Sequence, residues 1–173
     1  MSFTVAKVTD VSEGLKPGQF TVAQEDQGQS LADLDPIYRQ LMDEPVTAII
    51  AVMGKDGRPN LTPVWFDYAG DRIRINLAAA RLKVQALQRD PQFTITLMNP
   101  ANPYHWMTFK ATVVDEIHED DPERGHLATE SIDRCWAKYT GNEPPYGLRD
   151  PEVDERRVLF EARVDRVLTF GKP

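Results

Sequence analysis

The basic pair Arg81 and Lys83 stands where a strand-like pattern changes into a helix-like one. Ile73 and Ile75 alternate with polar residues, as in a half-buried strand, and good helix formers follow Ala78. The first N–H groups of a helix lack partners within it, and the helix dipole also favours a negative charge there. The pair therefore predicts a site for an anion such as a phosphate. Exposed basic pairs are common, so a solvated helix face remains the alternative.

Two aromatic residues and an imidazole follow one another at Tyr104, His105 and Trp106, directly after a loop rich in proline and asparagine. Such aromatic residues could wall the substrate side of a binding groove. They could equally pack in a core or an interface, where aromatic side chains dominate the buried surface. His105 has no carboxylate at a spacing that would orient it, so no catalytic role is assigned to it.

Other residues that could carry chemistry give weaker signals. His118 and His126 are eight residues apart among several acidic residues, but they lack the i, i+4 spacing or the cysteine of a metal site. A solvated acidic loop is the preferred interpretation. Cys135 lies on the apolar side of a predicted helix, which favours a buried and unreactive thiol. We find no nucleophile elbow, P-loop or Rossmann glycine pattern, so hydrolase and nucleotide-kinase functions have no support.

Composition narrows the class of protein further. The chain has 173 residues, 41% hydrophobic and 27% charged, as expected for one globular domain. Its net charge of -7 argues against a binder of nucleic acid or of anionic membranes, because both partners favour excess lysine and arginine. No apolar run approaches the roughly 20 residues that span a bilayer, and no signal-peptide pattern is visible. We therefore expect a cytoplasmic protein that contacts neither membrane nor nucleic acid.

The elements that would position these residues are mostly strands. Residues 1–29 carry three glycines and a polar stretch, and we expect them to form an N-terminal arm rather than core, followed by one domain over residues 30–173. The first three strands are expected to form an antiparallel meander. About six strands and three helices predict a mainly β fold, a small barrel with appended helices. The predicted strands cover residues 47–53, 61–68, 73–75, 93–98, 104–117 and 158–164, and the helices 30–43, 78–89 and 122–139.

The order of these motifs resembles the split β-barrel flavin and deazaflavin oxidoreductases, which are relatives of pyridoxamine 5′-phosphate oxidase. Within that group it is most similar to the branch that uses the deazaflavin coenzyme F420. The likeness runs from about Thr47 to Phe170. It is carried by Thr-Pro-Val-Trp-Phe at 62–66, a strand ending in Asn, Arg-x-Lys at 81–83, Asn-Pro-Tyr at 102–104 and Asp-x-Arg-Arg-Val-Leu at 154–159.

The resemblance implies a six-stranded antiparallel split barrel that forms a homodimer, with the cofactor in a groove between the subunits. It implies that Arg81 and Lys83 hold the cofactor phosphate, and that Tyr104 and Trp106 approach the partner's cofactor. The ring would be lined by Thr62, Pro63, Val64 and Trp65, and the ribityl and phosphate region by Asn76, Leu77, Ala78 and Ala79. Members of this branch often carry Arg and then Asn where this chain has Gln85 and Ala86, so one possible phosphate charge is missing.

The function implied by the resemblance is hydride transfer between F420 and a small organic substrate. An enzyme that uses flavin mononucleotide (FMN) and oxygen is the first alternative. A protein that carries the cofactor without catalysis is the second. In this family the substrate is met by rim loops, which in this chain would be the N-terminal arm, residues 99–105 and residues 141–151. These segments show no diagnostic charge pattern, so the sequence does not identify the substrate.

Overall fold

The computed structural model describes residues 3–7, 24–28, 30–150, 152–153 and 155–173, and of residues 6–7 and 24–28 only the backbone. Strands predominate in these ranges, and the helices lie between them in the sequence. The strands are β1 (Phe3–Lys7), β2 (Gln24–Gly28), β3 (Ala48–Met53), β4 (Pro59–Val64), β5 (Asp67–Ala69), β6 (Arg72–Ala78), β7 (Gln92–Met98), β8 (Trp106–His118) and β9 (Arg157–Phe170), and the helices are α1 (Pro36–Asp43), α2 (Leu82–Arg89) and α3 (Gly125–Thr140).

The two long strands β8 and β9 pair with each other from end to end and are shared by both halves of the sheet. The other edge of β9 pairs first with β6 and then, in parallel, with β1. The other edge of β8 carries β7, which leads on to β3 and β4. Register shifts leave Val114 and Asp165 unpaired, and bulges of this kind bend the strands where the halves diverge. The predicted antiparallel split barrel is thus confirmed.

The core lies between the two halves and follows the alternation seen in the sequence. In β6 the side chains of Ile73, Ile75 and Leu77 are buried, and the residues between them are partly exposed. Phe66 and Phe109 stack in the centre with their ring centroids 5.8 Å apart. Burying each such side chain contributes about 1.5–3 kcal/mol, so the alternation by itself strongly fixes the register.

The predicted meander is wrong. The predicted strand 61–68 divides at Trp65 and Phe66, so that β4 pairs with β3 while β5 pairs with β6. No ladder joins β4 to β6 within the described ranges. The physical reason is that both backbone polar groups of Phe66 bond to side chains of α3, which takes the place of strand pairing.

The N-terminal segment also differs from the expectation of an arm that contributes nothing to the core. Strands β1 and β2 form an antiparallel pair that extends the sheet beyond β9. Phe3 and Val5 are buried in the main core, because alternate residues of a strand share one face. The rest of the predicted arm lies outside the described residues.

The helices agree with the sequence more closely. Helix α1 ends at Asp43 as predicted but begins at Pro36 rather than at residue 30. Helix α3 ends at Thr140 and is capped by Gly141, whose φ of 71° is the left-handed conformation that glycine adopts most easily. Helix α2 begins at Leu82, a few residues after the predicted start. None of the described helices combines the length and the apolar character that crossing a membrane requires.

His105 is buried at the end of the barrel, with 1% of its surface exposed. Its Nδ1 atom lies 3.2 Å from the Asn99 side-chain nitrogen, and its ring packs against Tyr38 at 5.5 Å. Burial lowers the pKa of His105 below the ordinary value, because the charged imidazolium would lose its hydration. The folded protein therefore holds a neutral imidazole at this position.

We expect stability to fall as the pH is lowered through the range where His105 ionises in the unfolded chain. The unfolded residue takes up a proton near pH 6.5, whereas the folded residue resists it, so protonation favours unfolding. Urea unfolding of the wild type at about pH 7.5 and about pH 5 should show the loss, and H105Q should reduce it. An identical pH dependence in H105Q and the wild type would contradict the prediction.

Candidate functional site

A cavity of about 530 Å³ opens where β4 and β6 separate, beside the start of α2 and one face of α3. Its volume lies within the range typical of small-molecule sites. It exists because the chain between β4 and β5 leaves the sheet, so that no strand closes the gap. The lining residues are Thr47, Pro63, Val64, Trp65, Asn76, Leu77, Ala78, Arg81, Lys83, Ile132, Cys135, Tyr146, Leu148, Glu155 and Arg157.

One end of the cavity is basic. Arg81 is the N-cap residue of α2 and makes no side-chain capping bond, and Lys83 lies in the first turn, which carries no acidic residue. The Lys83 ammonium donates a hydrogen bond to the Thr62 hydroxyl at 2.6 Å. Burial, followed by the neighbouring Arg81 charge, lowers the pKa of Lys83. Two cations that lack a carboxylate partner within the described residues, beside free helical N–H groups, form a site suited to an anion.

The wall next to this basic end is apolar and is built around Trp65. The indole stacks on Tyr139, with ring centroids 5.4 Å apart, and meets the edge of Tyr146 at 6.1 Å. The Tyr139 hydroxyl donates to the Val46 carbonyl at 2.7 Å and accepts from the Phe66 N–H at 2.9 Å. Helix α3 thereby fixes the break between β4 and β5 and the plane of the indole.

Lys138, on the same helix, completes this support. Its ammonium donates to the Phe66 carbonyl at 3.2 Å and to the Met42 carbonyl, and it lies 5.5 Å from the centroid of the Phe66 ring. Burial lowers the pKa of Lys138 and raises that of Tyr139 to about 12. The Tyr139 hydroxyl is thus protonated at neutral pH and available as a donor.

Cys135 lies at the back of the cavity and is a free, buried thiol, as predicted. Burial, with a smaller contribution from the Asp67 charge, raises its pKa to about 12. A thiol needs a lowered pKa to act as a nucleophile near neutral pH, so the structure agrees with the prediction that Cys135 is unreactive.

The cavity wall also contains a polar group, beside Ala78 at the end of β6, that the sequence did not reveal. The Arg157 guanidinium donates from Nε to the Asn76 side-chain oxygen at 2.9 Å and pairs with Glu155. Its Cζ atom lies 5.2 Å from the centroid of the Tyr146 ring. The sequence showed a basic pair entering the last strand, but it did not show that strand pairing places Arg157 opposite Ala78.

Most of the predicted site residues come together here. The cavity is lined by Pro63, Val64, Trp65, Asn76, Leu77, Ala78, Arg81 and Lys83. Thr62 is connected to it by the hydrogen bond from Lys83. Ala79 directly follows the lining residue Ala78, and its N–H donates to the Arg156 carbonyl. Tyr104 and Trp106 lie away from the cavity of their own chain. Tyr104 is 58% exposed, and Trp106 stacks on Phe170 with ring centroids 5.7 Å apart.

The two residues that depart from the family pattern face different ways. Gln85 is exposed, whereas Ala86 is buried in the core. His118 bonds to Glu116 at 2.9 Å, and His126 is exposed on α3. The described part of the chain holds no group of three side chains placed to bind a metal ion.

The fold and the cavity together define a split-barrel protein with a candidate small-molecule site whose wall includes Arg81 and Lys83. The family model described as pyridoxamine 5′-phosphate oxidase matches residues 34–171. This chain belongs to that family. The match begins before α1 and ends after β9, so it includes both sides of the cavity.

Solved structures give the same result for the fold. An F420 reductase is similar with a TM-score of 0.60 and 22% identity, over 78% of this chain and 98% of that chain. A conserved hypothetical protein from Mycobacterium tuberculosis has a TM-score of 0.58 and 21% identity, over 83% of this chain and 89% of that chain. The heme storage protein HutZ from Vibrio cholerae has a TM-score of 0.54 and 14% identity, over 77% of this chain and 93% of that chain. No curated protein matches the sequence. Identities this low establish a shared fold and no shared activity.

We expect the Tyr139 hydroxyl to stabilise the protein measurably. The variant Y139F keeps the ring that stacks on Trp65 but removes both hydrogen bonds and leaves the Phe66 N–H without its partner. Urea unfolding should show a loss of about 1–3 kcal/mol. Y104F removes an exposed hydroxyl and should change the unfolding free energy by less than about 0.5 kcal/mol. Equal effects of the two substitutions would contradict the assigned role of Tyr139.

Proposed function

We propose that this protein is an oxidoreductase that binds the deazaflavin F420 by its phosphate and acts on a small organic substrate. The observation that carries the proposal is the basic end of the cavity, where Arg81 and Lys83 lack acidic partners within the described residues. A phosphate would accept hydrogen bonds from both side chains, from the Thr62 hydroxyl and from the free N–H groups of α2.

The rest of the cavity also fits such a cofactor. Small Ala78 beside the basic end leaves room for a ribityl chain to approach the backbone, and Pro63, Val64 and Trp65 provide an apolar surface for a flat ring. Trp65 is held in one plane by Tyr139, so the surface is formed before the ligand binds. These features favour a ligand that has a phosphate at one end and an aromatic ring at the other.

When bound, a reduced deazaflavin supplies a hydride, and the residues of this chain bind it, orient it and exclude water. Arg81 and Lys83 neutralise the phosphate charge, while the wall around Trp65 fixes the tilt of the ring. Cys135 and Tyr139 stay protonated at neutral pH because of burial. They therefore contribute packing and hydrogen bonds rather than nucleophilic chemistry.

Two alternatives have specific support. The family description, pyridoxamine 5′-phosphate oxidase, favours FMN as the cofactor. The uncharged, exposed Gln85 points the same way, since it offers no charge to the acidic tail that distinguishes F420. The fold shared with a heme storage protein favours a carrier without catalysis. The similarity to an F420 reductase supports the deazaflavin, and we adopt it for that reason.

We further propose that the protein is a homodimer that associates through the outer face of β3, β4, β7 and β8. Ile49 and Met53 on β3, Leu61 on β4 and Met98 on β7 are exposed although they are large and apolar. Strand register places Met98 beside Trp106 on the same face. A sheet face that exposes several large apolar residues favours a second copy, and it would bring Trp106 of each subunit to the interface.

Reversing the charge of Lys83 should weaken cofactor binding. In K83E an attractive charge beside the phosphate becomes a repulsive one, so we expect the dissociation constant of F420 or FMN to rise at least about tenfold. R81A should have a milder effect in the same direction. Fluorescence titration measures both effects.

The matched control is R58E, which makes the same charge change in the exposed turn between β3 and β4, away from the cavity. It should leave the dissociation constant within about twofold of the wild type. Unchanged titration curves for K83E and R81A would return these residues to a solvated helix face and would remove the main support for the proposal.

The choice of cofactor can be tested by competition. We expect F420 to bind more tightly than FMN, and the reduced deazaflavin to be oxidised by an organic acceptor without consumption of oxygen. The measurements are displacement followed by fluorescence, and an oxygen electrode. Displacement of F420 by FMN at equal concentration, with oxygen consumption by the FMN-loaded protein and an amine substrate, would establish the FMN alternative. Binding of either cofactor without turnover would establish the carrier.

Light scattering tests the dimer directly. We expect twice the mass of the 19.6 kDa chain at micromolar concentration. Replacing Leu61 by Lys places a charge on the proposed interface and should shift the mass towards that of the monomer, while V153K, at an exposed residue that lies outside all of these strands, should not. A monomeric wild type would exclude a groove shared between subunits.

A further inference from the structure

Arg157 is the only arginine among the described residues that is both buried and part of the cavity wall. It is the first residue of β9 and lies opposite Ala78 at the end of β6. Its exposed fraction is 8%. A guanidinium is rarely buried unless its donors are used, because each unsatisfied donor carries a cost of desolvation.

The donors of Arg157 are only partly used by the protein. A guanidinium has five N–H groups. Nε donates to Asn76 and Nη1 donates to Glu155, and the other three N–H groups have no partner within the described ranges. The partly exposed Arg74, in contrast, directs both Nε and Nη2 to Glu161 and does not line the cavity.

The orientation of this guanidinium is fixed before a ligand arrives. The Asn76 side-chain nitrogen donates to the Ala128 carbonyl at 2.7 Å, so its oxygen is left to accept from Arg157. Tyr146 covers the guanidinium at 5.2 Å, and Glu155 holds one of its terminal nitrogens. Because the guanidinium is held in one orientation, its unused N–H groups favour an acceptor at one position in the cavity, as in a preorganised site.

Arg157 differs in net charge from the basic end of the cavity formed by Arg81 and Lys83. Arg157 and Glu155 form a pair without net charge, whereas Arg81 and Lys83 have no acidic partner within the described part of the chain. A phosphate therefore gains most beside Arg81 and Lys83. The remaining donors of Arg157 suit an uncharged oxygen acceptor, and the apolar wall, whose Trp65 meets the same Tyr146 ring that covers the guanidinium, suits a planar ring.

We propose that Arg157 donates hydrogen bonds to a carbonyl oxygen of a planar conjugated ligand in the cavity. This inference rests on the proposed function, which supplies a ring that bears carbonyl groups. The same chemistry could come from the ring of the cofactor or from an enone or quinone substrate. Arg157 thus sets which edge of the ring faces the start of β9.

The test compares ligands with and without a phosphate. Riboflavin and FMN share the same ring and differ in the phosphate. In R157K, which keeps the charge but loses the fork of donors, the dissociation constants of both should rise about tenfold. In K83Q the constant of FMN should rise, and that of riboflavin should stay unchanged. Thermal unfolding confirms that each variant is folded.

A measurement on the wild type guards against a variant that fails to fold. Analogues of FMN with sulfur in place of one ring carbonyl oxygen present a weaker acceptor at that position. One of the two thio analogues should bind the wild type at least about fivefold more weakly than FMN, and folded R157K should bind FMN and that analogue equally. The analogue that is discriminated identifies the carbonyl that Arg157 meets.

The outcomes separate the possible errors. If R157K binds both flavins normally but raises the KM of a quinone probe such as menadione about tenfold, the carbonyl belongs to the substrate. The role of Arg157 would be overturned if three quantities in R157K all match the wild type. These are the dissociation constants of the two flavins, the ratio between the constants of FMN and its thio analogue, and the KM of menadione. A K83Q variant that binds FMN normally would instead overturn the phosphate end of the proposed function. A wild type that binds neither flavin nor deazaflavin would overturn both.

Discussion

The pairing of β8 with β9 is the interaction on which the rest of the structure depends. These strands are the longest of the described chain, and each carries a different neighbour along its other edge. Because β9 pairs with β6 over its first half and with β1 over its second, the sheet must separate into two halves. The gap between β4 and β6 follows from that separation. The cavity is therefore a product of this strand topology together with the departure of the chain from the sheet between β4 and β5.

Helix α3 turns this gap into a shaped site. Its residues supply the partners for both backbone groups of Phe66, stack against Trp65 and support Asn76 through the Ala128 carbonyl. Each contact joins residues more than 50 positions apart in the chain. A single helix thus couples the apolar wall of the cavity to the polar group formed by Asn76 and Arg157. The site therefore forms only when the whole domain is folded.

The sequence revealed the local parts of this arrangement and missed the distant ones. Arg81 and Lys83 were predictable because a helix start can be recognised from neighbouring residues, and β6 was predictable from its alternation. The division at Trp65 and the placement of Arg157 were not, since both depend on contacts with remote elements. Tyr104 and Trp106 were grouped with the site only through the resemblance to a family, and neither lines the cavity of its own chain.

Strand β4 forms one rim of the cavity and also one free edge of the sheet. An exposed edge normally invites another strand to add to it, which leads to aggregation. Pro59 and Pro63 in β4 lack the N–H groups that an added strand would need. These two prolines, of which Pro63 lines the cavity, thus protect the open edge against fibril-like growth. The chain can keep a gap in its barrel without presenting a template for another chain.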